Sequence, residues 1–148
     1  MNSNREWEQL LCNYFDVVGL TILGSYFADQ GFSWQRTKIN GIFFRKSDLF
    51  VEISYIPETY PNYSPSIIIG IGTDKYDDLG NITGVPAWSI IPETEEARKY
   101  SFWKFSNEDE LVDKLERIKS EILEKYAKPF LEDRSELAIA IKNFSSSE

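Results

Sequence analysis

Four β-rich runs between residues 32 and 74, separated by short polar breaks, constrain what this chain can fold into more than any other feature. They are expected as strands at 32–39, 42–47, 49–56 and 66–74. Asn40-Gly41 lies between the first two, and Asn-Gly favours a two-residue type I′ hairpin loop because both central residues take positive φ. Such a loop sets Lys38 opposite Phe43, Thr37 opposite Phe44, Arg36 opposite Arg45 and Trp34 opposite Ser47. A second two-residue reversal at Ser47-Asp48 sets Arg45 against Phe50 and Phe43 against Glu52.

Side chains alternate across a strand, so this register sorts residues between two faces. One face collects Ile39, Ile42, Phe44, Leu49, Val51, Ile53 and Tyr55, continued by Ile67, Ile69, Ile71 and Thr73, and reads as core. The other collects Trp34, Arg36, Lys38, Phe43, Arg45, Phe50, Glu52 and Ser54, with Gly70 and Gly72 beyond. Arg36 opposite Arg45 is a like-charge pair that needs an acid or anion nearby, and Glu52, diagonal to Arg45, is the internal partner. The face reads either as a solvated ion-pair cluster or as a recognition surface of aromatic and guanidinium groups.

The remaining elements follow from periodicity and capping. Trp7, Leu10, Leu11, Tyr14, Val18, Ile22 and Tyr26 recur at helical spacing, predicting a helix over about 4–29 that Gly31 stops. The rigid stretch 57–65, with Pro57, Pro61 and Pro65, holds Tyr60 and Tyr63 on a loop that would lose little entropy on binding. The connection over 75–92, which contains Trp88, is expected as a lid or a cover for the outer sheet face. Residues 93–99 form one or two helical turns, and 100–105 a fifth short strand or an aromatic linker. Ser106 caps a helix over 106–127, ended by Lys128-Pro129, and a last helix spans 131–144 before a polar tail at 145–148. The whole is a single α+β domain, a mainly antiparallel sheet of four or five strands with the N- and C-terminal helices on one face.

Composition removes several chemistries. Histidine is absent, which takes away the usual neutral-pH base and the commonest metal ligand. Cys12 is the one cysteine, so no intrachain disulfide or thiolate cluster forms, and its apolar neighbours mark it as a small buried hydrophobe. Asp74, Asp77 and Asp78 miss the spacing of a calcium loop, and neither metal nor cofactor is expected. A net charge of −8 disfavours nucleic acid and suits a basic protein partner. No run approaches a membrane span and the first residues lack a signal-peptide pattern, so the cytoplasm is the expected compartment.

Gly31-Phe32 leading into the hairpin, Phe43-Phe44-Arg45-Lys46, the isoleucine run at 67–71 and Tyr126-Ala127-Lys128-Pro129-Phe130-Leu131 give the chain a likeness to known families. It resembles small bacterial α+β domains grouped as domains of unknown function, some of them found in toxin-immunity or defence gene neighbourhoods. The resemblance implies a protein-binding role and carries no catalytic residues.

Two functional readings follow. The first is a non-enzymatic binding domain whose partner meets Trp34, Arg36, Arg45, Glu52, Tyr60, Tyr63 and Trp88. The second is a pocket for a small anion between the outer sheet face and the 75–92 connection, gripped by Arg36 and Arg45. An enzyme ranks third, since only carboxylate, lysine, tyrosine or serine chemistry is left.

Overall fold

The structure, a computed structural model, describes residues 3–36, 41–59, 64–76 and 82–146. Helix α1 (Ser3–Asp29) leads into a sheet of β1 (Ser33–Arg36), β2 (Gly41–Lys46), β3 (Leu49–Thr59), β4 (Ser64–Tyr76) and β5 (Ile82–Pro86). The strands lie in sequence order, each antiparallel to the next. Three short 3-10 turns at Ala87–Ile90, Glu96–Arg98 and Tyr100–Trp103 lead to α2 (Glu108–Arg117). A π-helical segment (Ile118–Ala127), α3 (Lys128–Glu132) and α4 (Arg134–Ser146) complete the α+β domain. No helix of the described residues is long and apolar enough to cross a membrane.

The isoleucine face is the core face. Ile42, Phe44, Leu49, Val51, Ile53, Tyr55, Ile67, Ile69, Ile71 and Thr73 are all buried. Helix α1 packs on this side. Phe27 stacks on Phe44 with ring centroids 4.2 Å apart and meets Phe32 edge-on at 5.4 Å, while Phe15 lies 4.8 Å from Tyr55. Gly19 permits the close approach of α1 to β2, since a Cβ there would lie 2.6 Å from Ile42 Cδ1. The helix ends as its sequence indicates: Gly31, at φ 90°, donates to Ala28 O while Phe32 donates to Phe27 O, the paired bonds of a Schellman stop.

The turn at Ser47-Asp48 forms as expected, with Arg45 opposite Phe50 and Phe43 opposite Glu52. The first hairpin differs. Ser33 pairs with Arg45, Trp34 with Phe44, Gln35 with Phe43 and Arg36 with Ile42, a register three residues away from the one a two-residue Asn40-Gly41 loop requires. Residues 37–40, including Lys38 and Ile39, lie outside the described residues. Because three is odd, the shift exchanges the faces of β1. Trp34 and Arg36 join the helix-facing side, and Ser33 and Gln35 join Phe43 and Arg45 on the outer one. The like-charge opposition of Arg36 and Arg45 is thereby avoided, and Arg36 instead pairs with Asp16 of α1 at 2.5 Å.

Two further corrections concern the C-terminal half. The cap of α2 is Asn107, not Ser106: its side chain accepts from the Glu110 N–H at 2.9 Å while Glu110 accepts from the Ser106 N–H. Pro129 does not end the helix. The preceding turns bond i to i+5, as when the Lys128 N–H reaches Leu123 O, and this wider winding admits a proline ring that an α-helix would exclude. The chain stays helical to Glu132, breaks at extended Asp133, and restarts as α4 with Asp133 accepting from the Ser135 N–H.

Where α1 meets this helical stretch, the Tyr26 hydroxyl is buried without a completed hydrogen bond, although Glu124 and Gln30 stand near it. Burial, then the Glu124 carboxylate, pushes its pKa up to about 12. A raised folded-state pKa means that the unfolded chain loses its proton first, so titration of this group leaves stability unchanged below pH 10 and lowers it between pH 10 and 12. Tyr26→Phe removes an unmet hydroxyl and is expected to stabilise the fold by about 1 kcal/mol at pH 8. Urea titrations at pH 8 and pH 11 check both points: the variant gains at the lower pH and loses less than the wild type between the two.

Candidate functional site

Those of the expected surface residues that the structure describes do not come together on one surface. Trp34 and Arg36 are exposed on β1, at one edge of the sheet. Trp88 follows β5, at the other edge, and four strand spacings separate the two by roughly 20 Å. Arg45 and Glu52 lie between them on the outer face, where Arg45 sits over the Phe43 ring at 4.8 Å and Phe43 stacks on Phe50 at 4.9 Å. Tyr60 and Tyr63 are outside the described residues, as are Asp77 and Asp78, and the side chain of Cys12 is not described. Arg36 and Arg45 face opposite sides of the sheet, so they cannot grip one anion. The described part of the 75–92 connection is neither lid nor cover: it supplies β5, paired to β4 from Gly70↔Pro86 to Tyr76↔Ile82, and then turns. Residues 100–105 form a 3-10 turn and one bridge to Ser66, with Phe102, Trp103 and Phe105 buried.

Trp88, however, stands in a cleft. Pro86 ends β5, and the Ser89 hydroxyl donates to Pro86 O at 2.7 Å, closing a tight turn. Ala87 and Ile91 anchor that turn in the core, which leaves Trp88 projecting and 43% exposed. Arg98 fixes the indole from one side: its guanidinium donates to Ile91 O at 2.7 Å and lies 5.0 Å from the Trp88 ring. Phe144 of α4 meets the indole edge-on at 6.1 Å. Helix α4 itself is held by Leu137, fully buried, and by Ile141, which packs against the core. Ile139, two positions off that stripe, is therefore turned outward and is 54% exposed. With Phe130 and Glu136 these residues bound a cleft of about 490 Å³.

The cleft is largely apolar. Its walls are aromatic and aliphatic, its cation is already committed to a carbonyl and a ring face, and its serine caps a turn. Trp88 was legible in the sequence as an aromatic on a connection; Arg98, Ile139 and Phe144 were not. The one signal for them was Ile139 falling out of phase with Leu137 and Ile141, which marks an apolar side chain off the buried face of its helix.

Comparison with known proteins yields no match: no family model, no curated protein and no solved structure is similar to this chain.

Proposed function

We propose that this chain is a non-enzymatic protein-binding domain of the cytoplasm, and that the Trp88 cleft receives an apolar side chain from a basic partner. The observation that carries the reading is the braced, half-exposed indole beside a half-exposed isoleucine. Tryptophan and arginine are enriched among residues that dominate binding energy, and a side chain already held in place loses little entropy on association. The sign of the partner follows from the net charge of −8, which favours encounter with a positively charged protein. An immunity or adaptor role, implied by the resemblance to bacterial domains in toxin-immunity neighbourhoods, is of this kind.

The test compares capture by tagged wild type, Trp88→Ala, Ile139→Glu and a Trp34→Ala control, washed at low and then high salt. A stoichiometric basic protein is expected on the wild type and the control, released at high salt. Purified, that partner should bind the two cleft variants roughly 30-fold or more weakly, the loss of a hot-spot contact, at unchanged melting temperature. Equal binding by folded Trp88→Ala and Ile139→Glu, or an empty capture, sinks the proposal.

A further inference from the structure

A second cleft, independent of the Trp88 reading, lies where the C-terminal corner of α1, the β2–β3 turn and the α3–α4 junction meet. It encloses about 400 Å³. Its apolar wall is Phe32, Leu49 and Leu131, all buried, and its charged residues include Lys46, Arg134 and Glu132.

Lys46 is the unusual member. Unlike Arg134 and Lys128 beside it, Lys46 makes no ion pair among the described residues. Its aliphatic stem passes beside Gly31, whose built Cβ would lie 3.4 Å from Lys46 Cε, and its ammonium stands 5.9 Å from the centre of the Phe32 ring. The side chain is thus laid along the cleft.

The turn behind it is strained and held. Ser47 is the one non-glycine residue at positive φ, 59°, among the described residues, a conformation costly for a residue with a Cβ. Arg134 clamps that turn: one nitrogen, Nη2, lies 2.7 Å from Asp48 Oδ1 and 3.5 Å from Lys46 O. Its Nε and Nη1 make no hydrogen bond among the described residues and are left to a ligand. Lys128, also lining the cleft, is committed to Glu124 at 3.1 Å.

We propose that this cleft binds a small organic monoanion, a carboxylate on a compact apolar body, with the carboxylate between Lys46 and Arg134 and the body against Phe32, Leu49 and Leu131. Glu132 also lines the cleft, and its carboxylate adds repulsion that grows with ligand charge, which disfavours phosphate dianions and nucleotides relative to a monoanion. The volume is that of a small-molecule site.

Benzoate, acetate and inorganic phosphate are the probes, each titrated into the full chain by calorimetry and by amide chemical-shift mapping at constant ionic strength. Benzoate is expected to bind saturably with a Kd of about 1 mM or tighter, above acetate and phosphate, moving the amides of Lys46, Leu49 and Leu131. Lys46→Gln, at an exposed position in no ion pair, keeps the fold and should weaken benzoate roughly tenfold or more through loss of one charge-assisted hydrogen bond. The proposal is overturned if benzoate fails to saturate, if its shifts map elsewhere, if phosphate binds more tightly, or if Lys46→Gln binds benzoate as well as the wild type. None of these outcomes bears on Trp88.

Discussion

Phe27→Ala is expected to destabilise the domain by about 3 to 5 kcal/mol, the range for removing a fully buried phenylalanine. Phe27 has no exposed surface and is the hub of the α1 end of the core, in contact with Phe32 and Phe44 and with Tyr26 at 5.3 Å. The surroundings are poorly placed to collapse into the space. Phe44 is fixed in the sheet between the β1 and β3 pairings, and Phe32 follows the Schellman stop, so the backbone on either side of the void is pinned. A native domain of this size has only about 5 to 15 kcal/mol to lose, so the variant should unfold at markedly lower urea with an unchanged slope. A shift in midpoint worth under about 1 kcal/mol would mean that α1 is not seated on β2 as described.

Phe105→Ala is expected to cost a similar amount, about 3 to 5 kcal/mol, with a different local signature. Phe105 is fully buried, lies 6.3 Å from Phe15 and 6.4 Å from Tyr55, and donates its N–H to Pro65 O. It is the peg that fastens the 3-10 segment to β4. Hydrogen exchange should report this: the Phe105 and Lys104 amides lose protection beyond the global change, whereas the β2–β3 ladder follows global stability alone. Uniform loss across both regions would contradict the fastening role.

Much of the sheet was legible because its signals are local. The isoleucine alternation sorted β3 and β4 correctly, and Ser47-Asp48 fixed the β2–β3 register. The first hairpin was misread because a loop preference worth little was opposed by terms the sequence does not show side by side. Asp16 and Arg36 are twenty residues apart, and their pairing, together with relief of Arg36 from Arg45, favours the shifted register. The same remoteness hid the clefts. Trp88, Arg98 and Phe144 converge only after the chain has passed through α2, the π-helical segment and α3, and Lys46 meets Arg134 across 88 positions. Pro129 misled for the opposite reason: a strong local rule assumes α-helical winding, and the winding here is wider.

That wider winding also sets a phase. Each i to i+5 bond takes in one residue more than an α-helical bond, so the segment Ile118–Ala127 turns whatever follows it relative to Ile118. The wider winding takes in an extra residue, so deletion of exposed Ser120 would let the segment return to ordinary winding with Phe130 and Leu131 kept in phase, whereas ordinary winding with every residue kept would rotate them by about 100°, the advance of one helical residue. Both clefts draw a wall from this rotated portion, Phe130 for one and Leu131 for the other. The two clefts are therefore indexed by a single hydrogen-bonding register lying outside either of them, much as two hands of a clock are set by one wheel.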